Sequence, residues 1–262
     1  MAHRRCQSYD FKTSSVKWSY QNVNSEHEFY EKVEKIAGWL NRPAALRTIH
    51  LLRWQKENKI KGGLLEIGVF CGKYFAILLD SGRRASDKVL GIDTFEFAPP
   101  ARVFKEMQEI FNTDVSSSFN LWEKRSDHID STEIESAIGR CRFISIDGAH
   151  DYNSVYLDLL LAEKVLSASG IIAVDDFLNP LTIGVNQAVN TFLSQPRLVE
   201  PVGYIANKLF LSHRSRSNEY RVLFEEIFAN GNDEQSINFV QRRKNGRHHI
   251  EQEFYGKRFI LG

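Results

Sequence analysis

Two β-branched runs in this chain end abruptly in carboxylates: Phe143-Ile-Ser-Ile-Asp147-Gly-Ala-His150-Asp151 and Gly170-Ile-Ile-Ala-Val-Asp175-Asp176. A helical stretch of crossover length separates them, which makes a β-α-β unit with parallel and, most often, neighbouring strands. Neighbouring strands lie about 4.8 Å apart, so Asp147 and the Asp175/Asp176 pair are expected at one carboxyl edge. Open α/β sheets bind ligands along that edge. Clustered carboxylates repel one another unless some are protonated or a cation lies among them. A hard divalent ion suits oxygen donors, and Mg²⁺ held by Asp147, Asp175 and Asp176 is the expectation. The plainer reading makes these acids turn or N-cap residues, where Asp is common. His150, three residues after Asp147, is a candidate proton acceptor near neutral pH. Its plainer reading is a helix-start histidine paired with Asp151.

A second constellation lies upstream, in Gly63-Leu-Leu-Glu66-Ile-Gly68-Val-Phe-Cys-Gly72-Lys-Tyr74. An apolar strand runs into Glu-x-Gly-x-x-x-Gly and then directly into an apolar helix. Glycines at such a turn let the backbone approach a ligand and reverse from strand to helix. About twenty residues on, Lys88-Val-Leu-Gly-Ile-Asp93 ends a second strand in an acid, as a ribose-binding carboxylate requires. The spacing fits a nucleoside cofactor lying across two adjacent strands. Glu66 as a helix cap and Asp93 as a turn acid are the competing readings. Cys71, inside the loop, has no basic partner in sequence and reads as a small filler.

These residues carry a family resemblance. The chain resembles the class I S-adenosylmethionine (SAM) dependent methyltransferases, and within them the group of the macrocin-type sugar O-methyltransferases and the cephalosporin-biosynthesis methyltransferase. The matching pieces are Glu66-Ile-Gly68-Val-Phe-Cys-Gly72, Gly91-Ile-Asp93-Thr-Phe-Glu96, Ile146-Asp147-Gly-Ala-His150-Asp-Tyr152, Gly170-Ile-Ile-Ala-Val-Asp175-Asp176 and Asn207-Lys-Leu-Phe-Leu211. The glycine loop departs from Gly-x-Gly-x-Gly, and its looser form is usual in the metal-dependent branch. The resemblance implies an α/β fold: a Rossmann-like, doubly wound, mostly parallel seven-stranded sheet with an antiparallel edge strand. It implies SAM held by Glu66, Gly68, Gly72, Asp93 and the Ser126-Asp127 loop, with Glu66 toward the methionine amino group and the loop near the adenine. Asp147 and His150 become the catalytic pair, His150 standing at the offset of the lysine base in catechol-type relatives. The implied reaction is methylation of a hydroxyl on a small molecule, a sugar or glycosylated natural product, with Mg²⁺ lowering the hydroxyl pKa.

Composition agrees with this reading. A chain of 262 residues, 42% hydrophobic, can bury one sizeable α/β core. A net charge of +1 argues against a polyanion-binding surface, so no nucleic-acid partner is expected. Cys6, Cys71 and Cys141 are odd in number and widely spaced, which points to a reducing compartment. The N-terminus has no apolar core of a signal peptide, and no apolar run approaches membrane-spanning length. A soluble cytoplasmic protein without a membrane partner is expected, and homo-oligomerisation is left open.

Three parts are expected along the chain: a 1–60 segment with a helical cap, a 61–212 SAM-binding core, and a 213–262 extension of helix and hairpin. Ser25-Glu-His-Glu28 reads as a capping box opening a helix whose Phe29, Val33, Ile36 and Leu40 share a face. Pro43 restarts a second helix, and the pair is placed over the cofactor or acceptor site. Residues 1–24 read as polar and irregular. Asn120 to Lys124 is the expected third strand, and Leu198 to Ser212 the last two. Beyond a helix from Asn218 to Ala229, Asn245-Gly246 is the strongest hairpin signal, flanked by Ile237–Val240 and Ile250–Phe254. Two other functions compete. A nicotinamide-dependent oxidoreductase lacks its Gly-x-Gly-x-x-Gly here. A non-catalytic SAM-binding or scaffold protein would use the acid cluster structurally.

Overall fold

In the computed structural model, residues 23–262 are described; Cys6 and the rest of the first 22 residues lie outside them. A helix pair, α1 (Val23–Val33) and α2 (Arg42–Glu57), precedes the first strand. Strands and helices then alternate: β1 (Gly63–Ile67), α3 (Phe75–Ala85), β2 (Val89–Asp93), α4 (Pro100–Phe111), β3 (Asn120–Glu123), α5 (Ser131–Ile138), β4 (Cys141–Ile146), α6 (Tyr152–Val165), β5 (Leu166–Val174) and α7 (Ile183–Leu193). The chain closes with β6 (Val199–Ile205), β7 (Lys208–His213), α8 (Ser217–Ala229), α9 (Glu234–Asn245), β8 (Glu251–Phe254) and β9 (Lys257–Leu261).

One sheet in the order β3-β2-β1-β4-β5-β7-β6-β9-β8 runs through the molecule. The first five strands are parallel, and β7 is antiparallel to both β5 and β6. The β-α-β expectation holds: β4 and β5 are parallel neighbours with Ile146 opposite Val174. The sheet has nine strands rather than seven, because β9 adds parallel to β6 and β8 follows it. One face packs against α1–α4, α8 and α9, and the other against α5–α7.

Two local expectations are corrected. Helix α1 starts at Val23, so Ser25 lies inside it, and it ends at Val33, before Ile36 and Leu40. The sharper correction concerns the hairpin. Ile237–Val240 belong to α9, which Asp233 caps by accepting from the Ser236 amide, and Asn245-Gly246 is that helix's C-terminus. The hairpin turn is instead Tyr255-Gly256, with φ of 50° and 66°. Two consecutive positive φ values are what a two-residue type I′ turn needs. Asn-Gly satisfies the stereochemistry of a helix stop as well as that of a hairpin. Phe239, fully buried against the Phe228 ring, decides for the helix.

The core also encloses charge. Arg142 on β4 is fully buried and donates to Asp87 Oδ2 (2.8 Å), Gln55 Oε1 (2.6 Å) and Ser81 Oγ (2.9 Å). This fastens α2 and α3 to the sheet. Breaking a buried pair by removing one partner leaves an uncompensated charge. Arg142→Ala is therefore expected to lower unfolding free energy by about 3–5 kcal/mol, read from urea unfolding; a loss below about 1 kcal/mol would show that water repairs the site.

Candidate active site

The carboxyl ends of β1, β2, β4 and β5 open into a cavity of 1640 Å³. Ligand pockets commonly measure about 300–1,000 Å³, so this one has room for a cofactor and a second molecule. The loops at this edge are bound to the neighbouring strands. Gly68 N donates to Ile92 O, Asp147 N to Ile67 O, and Asp175 N to Ile146 O, at 2.8, 2.8 and 3.0 Å. Gly68 has φ +89°, and a Cβ there would overlap the Asp147 carbonyl. A glycine is needed so that the β1 loop can lie against the β4 loop. Gly72 (φ +88°) is different: its α-carbon faces Val103 and Met107 of α4, and it is not among the residues lining the cavity.

Glu66 and Asp93, the residues expected to hold the cofactor, both line the cavity. Glu66 is 1% exposed, lines the cavity and leaves Oε2 without a hydrogen-bond partner. Burial, then the Asp147 charge, pushes its carboxyl well above the usual range, with Lys208 opposing. The helix-cap reading of Glu66 fails, because the residue sits within β1. Asp93 accepts from Phe70 N at 2.8 Å through Oδ2 and from Phe95 N at 2.7 Å through Oδ1. Each oxygen keeps a second lone pair for a ligand, while the two amides fix its direction. Ser126 and Asp127 form a 3₁₀ turn after β3 and line the same cavity. The Asp127 side chain is engaged by Arg125, at 2.8 and 3.0 Å.

The acids expected from sequence do converge, and one cation is already among them. Lys208, the first residue of β7 and 2% exposed, places Nζ 2.7 Å from Asp175 Oδ2 and 3.9 Å from Asp147 Oδ2. The ring of Tyr74 lies beneath the ammonium, 4.4 Å from Nζ to its centroid, and the Tyr74 hydroxyl pairs with Thr48 at 2.8 Å. Burial disfavours the Lys208 charge, but Asp175 and Asp147 outweigh it and keep the amine protonated. Asp147 and Asp175 are hydrogen-bonded to each other. Burial and the Asp175 charge push Asp147 up to about 7, whereas Lys208 overcomes burial to hold Asp175 below the usual range. Asp176 adopts a left-handed backbone (φ 58°) and accepts from the side chains of Asn179 and Asn207.

His150 Nε2 lies 3.2 Å from Asp176 Oδ2 and 3.7 Å from Asp147 Oδ1. The nearby Asp147 carboxyl raises its pKa against the effect of burial, with Asp176 and Asp175 adding to it. Asp151 is occupied elsewhere, capping α6 through the Ser154 amide, so the His150–Asp151 pairing is not formed. The donors at this edge fit a hard cation in kind, being carboxylate oxygens with net negative charge. Their spacing is that of hydrogen-bonded and ion-paired groups, and among the described residues no three His, Cys, Asp or Glu side chains are placed to hold a metal.

Sequence reasoning missed several participants. Lys208 and Asn207 stand in a segment used only as a family match, with no motif to mark their role. Asp158 on α6 sits at a helical position that reads as packing, yet it lines the cavity. Trp39, Phe97 and Leu181 line the same cavity while remaining 92%, 84% and 90% exposed. Trp39 lies in the α1–α2 connection and stacks on Phe70 of the glycine loop, which brings that connection to the cavity. Cys71 is buried beside this loop, and burial raises its thiol pKa, in keeping with a filler.

The chain is similar to known proteins in one segment of sequence and in fold. Residues 65–177 match a family model described as a methyltransferase domain. The solved structures similar to this chain include the apo form of CalS11, a TDP-rhamnose 3'-O-methyltransferase of calicheamicin biosynthesis (TM-score 0.51, 15% identity, covering 74% of this chain and 95% of that one). They include the O-methyltransferase NovP (TM-score 0.54, 14% identity, 64% and 80%). A third is the SAH-bound methyltransferase PaMTH1 of Podospora anserina (TM-score 0.51, 17% identity, 73% and 88%). At these identities the likeness is one of fold. No curated protein matches the chain. The family match spans less than half of the chain, and what the solved structures share with it is the Rossmann-like fold.

Two substitutions test the cofactor end. Asp93→Ala should weaken SAM binding by about 1.5–3 kcal/mol, the worth of a charge-assisted hydrogen bond. Calorimetry giving unchanged affinity in the folded variant would remove Asp93 from the ribose site. Gly68→Ala should abolish SAM binding through the overlap with Asp147, and normal binding would show that the β4 loop gives way.

Proposed function

We propose that the protein is a SAM-dependent O-methyltransferase acting on a hydroxyl of a small molecule, a sugar or glycosylated natural product, with Mg²⁺ at Asp147, Asp175 and Asp176. One observation carries this reading: a single cavity joins the Glu66–Asp93 end to the Asp147–His150–Asp176 edge. The unpartnered Glu66 Oε2 suits the ammonium of SAM's methionine portion, and the oriented Asp93 carboxylate suits its ribose. Support for the acceptor class comes from CalS11, whose substrate is a TDP-sugar, and from the apolar rim of Trp39, Phe97 and Leu181. A hydroxylated end would reach the acids while an apolar body rests on the rim. The 1–60, 61–212 and 213–262 division is proposed on the same reading, with 61–212 as the cofactor-binding core.

SAM, when bound, supplies an electrophilic methyl sulfonium, so the remaining task is to align and deprotonate a hydroxyl. His150 would accept the hydroxyl proton on its free ring nitrogen as the oxygen takes the methyl group from the sulfonium. Asp147 and Asp176, both facing Nε2, would stabilise the resulting imidazolium. Lys208 would hold Asp175 ionised and limit repulsion within the cluster. Mg²⁺, when bound, would acidify the hydroxyl and fix its direction. Cys71 and Cys141 are free thiols, which supports a cytoplasmic location. Among the described residues no helix is long and apolar enough to cross a membrane.

Two experiments test this function. Asp175→Asn should lower stability by stranding the buried Lys208 charge and sharply reduce metal-stimulated turnover of the protein that still folds, and EDTA should silence the wild type. Full activity in EDTA would leave Lys208 as the cluster's sole cation and end the Mg²⁺ reading. His150→Gln should lower kcat by about 10²–10⁴ with SAM affinity retained. Only neutral imidazole accepts a proton, so wild-type rate should rise with pH through the raised pKa of His150, above about 6.5. The variant should lose that limb; a variant with normal kcat and an unchanged profile would return His150 to a structural role.

A further inference from the structure

We propose that Asp158 recognises the base of the cofactor by accepting a hydrogen bond from the exocyclic amine of adenine. This rests on the SAM reading above. Asp158 is 1% exposed, lies in the middle of α6 and lines the cavity, and its Oδ1 has no hydrogen-bond partner. Burial pushes its carboxyl up to about 6; Ser126 opposes this by hydrogen bonding, and the charges of Asp127 and Asp151 add to it. A buried carboxyl oxygen without a donor costs free energy comparable to a lost hydrogen bond, which a ligand N–H can restore.

The surroundings specify the kind of donor. Ile67, Ile92 and Gly148 line the cavity with Asp158 and Ser126. A Cβ added at Gly148 would stand 3.5 Å from Ile67 Cγ2 and 3.6 Å from Asp158 Oδ2, which places the apolar side chain and the carboxyl about one backbone together. Apolar side chains beside a polar acceptor suit a flat heteroaromatic ring that carries an N–H group on its edge. The Ser126-Asp127 turn was expected near the adenine, but the Asp127 carboxylate is engaged by Arg125. Ser126 instead lines the cavity with Asp158 and opposes the rise of its pKa, so the turn stands beside a carboxylate carried by another helix. An aminopurine satisfies both the ring surface and the unpartnered oxygen.

The test measures binding, with no acceptor needed. Calorimetry compares S-adenosylhomocysteine with its 6-deamino analogue, in which purine replaces adenine, on wild type and on Asp158→Leu. Leucine removes the acceptor at similar volume, and replacing a lone buried carboxyl by an apolar group is often tolerated. Wild type should prefer the amino compound by about tenfold or more, the worth of one buried hydrogen bond. In the variant the ratio should fall to about one. Asp158→Ala serves in the same way if the leucine variant does not fold. An unchanged ratio in a folded variant, or no preference in the wild type, overturns the assignment while the SAM reading stands. A wild type that binds neither compound overturns both. A purely structural Asp158 would weaken both ligands together and leave the ratio unmoved.

Discussion

Three carboxylates and a histidine can share one sheet edge here because the antiparallel strand β7 begins where the parallel strands end. Leu209 pairs with Val174, so the next residue on each strand, Lys208 and Asp175, meet beyond the ladder. The ammonium thus arrives at the carboxyl edge of β5 without a loop to carry it. A lysine so enclosed is stable only with its counter-charge, and the acids repel one another without it. Removing either side would leave several kcal/mol of uncompensated charge, on the scale of ~3–5 kcal/mol for a broken buried pair. The state of Asp175 and Asp147 depends on that contact, since Lys208 opposes the effect of burial on both carboxyls.

The same edge explains why these groups line one cavity. Glu66 and Asp93 belong to β1 and β2, and Asp147 and Asp175 to the ends of β4 and β5. Hydrogen bonds from each loop to its neighbouring strand fix the spacing of these groups, and Gly68 lets two loops touch. The cavity is therefore polar along its base and apolar at its rim, where Trp39, Phe97 and Leu181 remain open to solvent. Exposed large apolar groups beside a polar cleft mark contact with a ligand more readily than isolated surface residues do.

Much of this was legible in the amino-acid order, because local rules govern it. Strand runs that end in Asp, a Gly-x-x-x-Gly turn and a crossover-length helix are short-range signals, and they placed Asp147, Asp175, Asp93 and Glu66 at one edge. The same local rules misplaced the hairpin, since Asn-Gly suits a helix stop and a two-residue turn equally. Only the packing of Phe239 separates the two. The strand count was also beyond local signals, because β9 finds its partner β6 more than fifty residues away.

What the sequence by itself determined is the set of chemical groups and the edge on which they stand. What only the tertiary structure decided is their state. Lys208 is distant in sequence from Asp147 and Asp175, and only the antiparallel register brings its charge to them. His150 adjoins Asp151 in the chain yet faces Asp147 and Asp176, because Asp151 is taken by the α6 amides. Asp158, within α6, lines the cavity and leaves its Oδ1 without a partner. The physical reason is common to all three: residue types and spacing fix which groups are present, whereas pKa and hydrogen bonding depend on neighbours supplied by other strands and helices.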